Sequence, residues 1–351
     1  MVCNENVVYI TSVVIIYWVV SITMVYLNKI LMSNEEISIP APLFVTWFQC
    51  LVTSIICFVA GIMGERFQKQ EGYSRVSTKE GIEHSVRTKS SFFSQFPKTT
   101  YNVGVAMKIF PLSIVFVGMI TFNSLCLKHV EVSFYNVARS LTIVFNVFFS
   151  WMIVRVSSSS KTIACLMIVV AGFLIGSHGE INFSHVGTGC GILSSMFVSL
   201  NSIYTKKVLP AVDDNHWRLT WYNNVNACFI IAPLAYYFEG DFVLSHPNQL
   251  ESRVFWTAMT LAGFLGFAIG IVTVLQIKAT SPLSHNISGT AKAAFQSMLA
   301  FYIWGNDPTA FGVLGIFTVL GGSLLYTYVK MKESQPMQSN VDVEMQSNGN
   351  K

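Results

Sequence analysis

Leu283 to Gln296 reads LSHNISGTAKAAFQ, and Lys292 stands within it, deep inside a segment otherwise apolar and long enough to cross a bilayer. A second cation, Arg139, lies a turn or two inside another such segment, FYNVARSLTIVFNV. An ionisable side chain near the bilayer centre costs about 2.5–3.5 kcal/mol on insertion scales, so it must face a cavity or a partner. Snorkelling from mid-helix would ask a lysine stem to cover about 15 Å, which is too far. No Asp or Glu stands at comparable depth in any apolar segment. Two cations at membrane depth without a protein counterion suit an incoming anion, and a diphosphate carries enough charge for both.

The neighbours of Lys292 are small. Ser288, Gly289, Thr290 and Ala291 would let an extended ligand approach the helix backbone closely. The same residues could form a small-residue helix-packing face, a reading that accounts for Gly289 and Ala291 and leaves the lysine unexplained. A third cluster, Tyr222, Asn223, Asn224 and Asn226, places several polar side chains in one short run of another apolar segment. Carboxamides in a membrane helix can simply bond neighbouring helices, each contributing about 0.6 kcal/mol. An amide also offers a donor beside an acceptor, which matches the edge of a purine such as guanine, and Tyr222 could stack on the base or close the pocket. Lys29, Lys128, Lys206, Lys207 and Lys278 fall at segment ends, where they read as snorkelling anchors.

These residues need helices to position them. Of 351 residues, 52% are hydrophobic and 11% charged, against roughly 25% charged in soluble domains. The chain is therefore expected to be an all-α membrane protein. Ten spans can be read: 7–31, 42–63, 108–128, 132–154, 161–178, 186–207, 217–238, 254–276, 283–304 and 309–329. Residues 1–6 form a leader, the segment 64–107 a polar loop, and 330–351 a polar tail expected to be disordered. Lys and Arg collect in loop 64–107 and beside the ends at Arg155, Lys161, Arg218 and Lys330, while the opposite loops are acidic. The positive-inside rule then puts both termini in the cytosol, as an even number of spans requires. The first apolar segment is too long for a cleaved signal and is expected to remain as a span. Six of the seven cysteines fall within spans, so neither disulfides nor a metal site is expected. Asn182 opens a glycosylation sequon in a loop short enough to go unused.

The chain repeats itself. At a constant offset of 150 residues, Lys128 matches Lys278, Asn136 matches Asn286, Ser140 matches Thr290, Phe145 matches Phe295 and Asn146 matches Gln296. Thr46-Trp47-Phe48-Gln49 likewise matches Thr220-Trp221-Tyr222-Asn223, and Tyr26 to Lys29 matches Tyr204 to Lys207. Each half, 7–178 and 186–329, holds five spans. An odd number forces the second half to enter the membrane with opposite polarity, giving two inverted five-helix repeats, an architecture of secondary transporters. Seven scattered histidines without a metal-ligand spacing, and no acid pair at membrane depth, argue against an enzyme. A receptor has no use for a duplicated layout. The expected mechanism is alternating access with obligatory exchange, without a sodium or proton site.

The strings WYNNVNA (221–227), IYTKKVLPAVD (203–213), PLSIVFVGMITFN (111–123), FYNVARSLTIVFNV (134–147) and SPLSHNISGTAKA (281–293) resemble those of the Golgi GDP-fucose transporter family. That family lies in the nucleotide-sugar branch of the drug/metabolite transporter superfamily. The resemblance covers nearly all spans, with the leader, loop 64–107 and the tail outside it. It implies a drug/metabolite transporter fold, a Golgi membrane location, and import of cytosolic GDP-fucose in exchange for lumenal GMP, with no cofactor. Lumenal breakdown of GDP to GMP would drive the import. In related GDP-sugar carriers a Phe-Tyr-Asn-Asn run contacts guanine, which carries over to Tyr222, Asn223 and Asn224. A Gly-rich motif ending in Lys contacts the sugar-nucleotide, which carries over to Ser288, Gly289, Thr290 and Lys292. Trp221 replaces the commoner Phe, and SGTAK departs from the Gly-Ala-Leu-Asn-Lys form of GDP-mannose carriers, a departure that favours fucose. GDP-mannose, another nucleotide sugar or a sugar phosphate stays open as the alternative cargo. Membrane lipids surround the chain, no nucleic-acid partner is expected, and the homodimer question is open.

Overall fold

The computed structural model describes residues 2–33, 39–77, 96, 100–155, 158–179, 184–280, 282–305 and 309–348. Among them there is no strand. The helices are α1 (Val2–Ser33), α2 (Pro42–Ser77), α3 (Val103–His129), α4 (Val132–Ser140), α5 (Thr142–Phe149), α6 (Ser160–His178), α7 (His185–Val208), α8 (His216–Leu244), α9 (Pro247–Glu251), α10 (Arg253–Ala279), α11 (Pro282–Trp304) and α12 (Ala310–Asn348). The helix starts are marked by polar caps that occupy otherwise orphaned backbone N–H groups. Asn102 accepts from Gly104 N at 2.8 Å, Ser159 from Thr162 N at 3.2 Å, Asn215 from Trp217 N at 3.0 Å and Thr309 from Gly312 N at 3.0 Å.

Nine helices among the described residues are long and apolar enough to span a membrane. The tenth expected span is α11. Its 23 residues cover about 35 Å, enough to cross, but its first three turns carry the polar run around Lys292 that lowers its apolar character. Outward-facing positions are large and apolar, among them Ile15, Val19, Phe58, Met167 and Phe317. A surface of that kind is stable only against lipid. The fourth span is two helices. Ser140 Oγ donates back to Val137 O at 2.6 Å and Leu141 N donates to Ala138 O at 3.2 Å, which tightens the turn and separates α4 from α5. A single π-helical turn, Ser150–Val154, follows α5 and ends on Arg155 in the left-handed region.

Helix α12 continues past Lys330 to Asn348, through the stretch whose composition predicts a disordered tail. Its first turn beyond the expected span is held by Glu333, which accepts from Ser159, Thr162 and Lys330. That tether fixes the helix for one turn past the expected span. The sequon residue Asn182 and the loop residues 78–95 and 97–99 lie outside the described residues.

The chain divides into two compact units, each drawing on both halves of the sequence. The first comprises residues 1–33, 119–200 and 268–351, and the second residues 34–118 and 201–267.

In the first unit, α6 and α12 meet through glycines. A Cβ built on Gly315 would come within 2.4 Å of Gly176 Cα, and one on Gly179 within 2.1 Å of Gly312 N. Gly172 faces Val319 and Gly322 faces Val169, so the pairing advances along one helix as it retreats along the other. Close backbone approach of this kind lets dispersion forces do in lipid what the hydrophobic effect does in water. Leu127, Val130, Phe134, Tyr135, Val137 and Phe173 form the adjoining core. Lys29, expected as an interface anchor, instead donates to Leu127 O and Val130 O at 2.7 Å each and closes the C-terminus of α3.

In the second unit, α8 packs on α2. Glu239 of α8 accepts from Leu43 N at 3.1 Å and Phe44 N at 2.9 Å, so a carboxylate from one helix caps the N-terminus of the other. Asn226 Nδ2 donates to Ala106 O at 3.2 Å and Ser113 Oγ at 3.1 Å, tying α8 to α3 beside Pro111. Cys57, Ile109, Leu112, Leu219 and Trp221 fill the space between.

Candidate functional site

A cavity of about 400 Å³ opens within the first unit, walled by α1, α4, α5, α11 and α12. Arg139, Gly289, Thr290 and Lys292 all line it. Four of the eight site residues expected from the sequence are thus brought together by α4 and α11.

Neither cation meets a carboxylate among the described residues. Arg139 Nη1 donates to Tyr135 Oη at 2.7 Å, one turn back on α4, with the guanidinium carbon 6.0 Å from the Tyr135 ring. Lys292 Nζ donates to Ser21 Oγ of α1 at 2.6 Å and sits 5.7 Å from the ring of Tyr17. Hydroxyls and aromatic faces attract a cation without cancelling its charge. The cavity therefore keeps its positive field for a ligand. Thr142, on the same lining, has a buried Oγ1 with no hydrogen-bond partner among the described residues.

The lining repeats in register. Arg139, Ser140, Thr142 and Ile143 all face the cavity, and so do Gly289, Thr290, Lys292 and Ala293, their mates at the offset of 150. Both halves of the duplication supply the same four positions.

Helix α1 runs alongside α11 in the same direction, joined by a ladder of polar and aromatic pairs. Tyr17 meets His285 edge-on at 5.0 Å, Trp18 Nε1 donates to Ser288 Oγ at 2.9 Å, Ser21 holds Lys292, and Tyr26 Oη donates to Gln296 O at 2.6 Å. Ser288 also accepts from Gln276 Nε2 at 3.0 Å. Its hydroxyl is engaged by α1 and α10, and Ser288 is not among the cavity-lining residues.

Tyr222, Asn223 and Asn224 belong to the second unit. Tyr222 is fully buried, donates to Thr100 O at 2.9 Å and accepts from Asn102 N at 3.0 Å, with Tyr101 and Trp221 packed against its ring. Asn224 Nδ2 donates to Thr220 O within its own helix at 2.9 Å. Asn223 is buried and its Oδ1 has no partner among the described residues.

A profile of the Triose-phosphate Transporter family matches residues 8–327. The chain belongs to the triose-phosphate transporter family. This family member is 45% identical over 341 residues to "GDP-fucose transporter 1" of Nematostella vectensis, covering 95% of this chain and 93% of that one. It is 44% identical to "GDP-fucose transporter 1" of Mus musculus over 332 residues, covering 94% and 85% respectively. It is 40% identical to "GDP-fucose transporter, Golgi" of Drosophila melanogaster over 326 residues, covering 92% and 90%. A solved crystal structure at 13% identity matches with a TM-score of 0.51 over 89% of this chain and 98% of that chain, a likeness of fold. As a member of a transporter family, the chain is a membrane carrier and not an enzyme.

In this triose-phosphate transporter family member, several cavity residues escape sequence reasoning. Tyr17, His285 and Tyr326 line the cavity, and behind the lining Ser21 and Tyr135 hold the two cations. The available signal was spacing. Tyr17 and Ser21 stand four apart on α1, as Tyr135 and Arg139 do on α4, and such pairs share a helix face.

Proposed function

We propose that the protein is an antiporter that carries GDP-fucose from the cytosol into the Golgi lumen in exchange for GMP, by alternating access. One observation carries this reading: Lys292 and Arg139 share a single cavity, and neither is neutralised by a carboxylate among the described residues. The relatives named above supply the identity of the cargo. In this reading the diphosphate lies between the two cations, with Gly289 and Thr290 against its backbone side and Ser288 orienting the motif. Tyr222, Asn223 and Asn224 are assigned to guanine recognition on the resemblance alone, and the unpartnered Oδ1 of Asn223 supports that assignment because guanine offers N–H donors.

Exchange follows from charge. GMP and the diphosphate of a GDP-sugar each bring about two negative charges near neutral pH, which matches two cations. The empty cavity keeps its unneutralised charge and reorients slowly, whereas either loaded form moves readily. The halves 7–178 and 186–329 enter the membrane with opposite polarity and leave both termini cytosolic, the inverted duplication on which alternating access rests.

Purified protein in liposomes decides the matter. Vesicles loaded with GMP are expected to accumulate GDP-fucose, and empty vesicles are not. Uptake blocked equally well by GDP-mannose or by a sugar monophosphate would replace the fucose reading with its nearest alternative. Equal uptake into empty and loaded vesicles would remove the exchange mechanism.

A further inference from the structure

Helix α12 turns one stripe of its surface toward the cavity: Ile316, Val319, Leu320, Ser323, Tyr326 and Thr327. Their spacing of three and four residues is that of a single helix face. The stripe changes character along its length. Its first three members are aliphatic and its last three carry hydroxyls. The parts of the lining on α4 and α11 hold the two cations.

The aliphatic half is fixed in place. Val319 is 3% exposed and locked against Gly172 of α6, where a Cβ would come within 2.8 Å of both Val319 Cγ2 and Val319 N. Gly322, one turn further on, is pressed against Val169 in the same way. A wall held by backbone-to-backbone packing cannot withdraw to admit a bulkier or wetter group.

Lys292, Arg139 and this stripe line one cavity of about 400 Å³, so a sugar linked to a diphosphate held by the two cations shares that space with the stripe. Fucose is a 6-deoxyhexose, so it offers one methyl on a ring that otherwise carries hydroxyls. We propose that Ile316, Val319 and Leu320 seat the C6 methyl of the sugar, while Ser323 and Tyr326 meet its ring hydroxyls, and that this two-part face makes the carrier selective for a deoxy sugar. The inference rests on the reading of the cavity as the GDP-fucose site. Its physical basis is a polar group left without a partner. A C6 hydroxyl pushed against three aliphatic side chains loses its water and gains no hydrogen bond, whereas a methyl loses nothing.

The decisive comparison is between GDP-L-fucose and GDP-L-galactose, which differ by a single hydroxyl on C6. Full-length protein in GMP-loaded liposomes is expected to favour GDP-L-fucose in uptake efficiency by about tenfold to a hundredfold, the range an apolar pocket gives against an added hydroxyl. Leu320→Asn, which keeps the branched four-atom shape of the side chain, and Ile316→Thr are each expected to narrow that preference to about threefold, chiefly by admitting GDP-L-galactose. Equal efficiency for the two sugars in the wild type would overturn the inference whatever the variants do. Wild-type selectivity that survives both substitutions, with the two uptakes falling in proportion, would overturn it as well and leave the GDP-fucose reading standing. Failure of the wild type to take up GDP-L-fucose at all would instead remove the reading on which the inference rests.

Discussion

The ammonium of Lys292 is held by the hydroxyl of Ser21, 2.6 Å away on α1, and by no carboxylate among the described residues. A neutral partner of this kind steadies the cation without discharging it. The arrangement gives α1 a hand in setting how strongly the cavity draws an anion.

Lys292→Ala is expected to abolish exchange. A hydrogen bond to a charged group is worth about 1.5–3 kcal/mol, so GMP affinity should fall on the order of tenfold to a hundredfold. The variant should still fold and reach the membrane, because removing a charge from membrane depth eases insertion. Uptake into GMP-loaded vesicles and GMP-induced thermal stabilisation of detergent-purified protein measure the two halves of this prediction. Wild-type uptake would show that Lys292 does not bind the anion.

Ser21→Ala tests whether the hydroxyl competes with the ligand. Without it the ammonium is less satisfied in the empty carrier, and GMP binding is expected to tighten by about threefold to tenfold, in line with one hydrogen bond of about 1 kcal/mol. Titration calorimetry of the purified variant gives the sign. Weaker binding would mean that Ser21 aims the lysine at the phosphate.

Asn223→Ala separates recognition from packing. The buried Oδ1 has no partner among the described residues, so its removal should leave the melting temperature unchanged or slightly raised. If Asn223 reads guanine, inhibition of GDP-fucose uptake by GMP should weaken by about tenfold, the loss of roughly one well-placed hydrogen bond. Asn224→Ala should likewise raise the KM for GDP-fucose. Unchanged inhibition by GMP in both variants would leave these amides a packing role.

Gly315→Ala is expected to be severe despite adding one methyl. Its Cβ would meet the backbone of Gly176 at 2.4 Å, and backbone cannot rotate away as a side chain can. Overpacking of this kind costs about 1–3 kcal/mol. The melting temperature should drop by several degrees, whereas Gly321→Ala, at a position with open space around it, should leave it unchanged.

The helices and the two cations were legible in the sequence because an apolar run of twenty residues and a charge inside one are loud signals. Lys292 and Arg139 stand out by type alone. Tyr17, Ser21 and Tyr135 do not, since a hydroxyl in an apolar helix is ordinary and only contact with a cation gives it meaning. Tyr222 illustrates a different limit. Its ring and hydroxyl are taken up by Thr100, Tyr101 and Asn102, the stretch leading into α3, and no periodicity within α8 could reveal that this stretch returns to it. Lys29 read as a helix-end anchor because its spacing shows where it lies along α1, not that α3 ends beside it. The interruption between α4 and α5 was hidden for a similar reason: LTIVF carries neither glycine nor proline, and the turn is made by a serine bonding backwards.

In the proposed site, the mirrored lining of the cavity also distinguishes the two ends of a passenger. Arg139 stands opposite a glycine in the other copy, Gly289, and Lys292 opposite a threonine, Thr142. Had the copies stayed identical, a molecule could seat itself either way round. Because the two stretches have diverged to place unlike cations at unlike positions, head and tail are no longer interchangeable, and a duplicated scaffold acquires a sense of polarity from two substitutions.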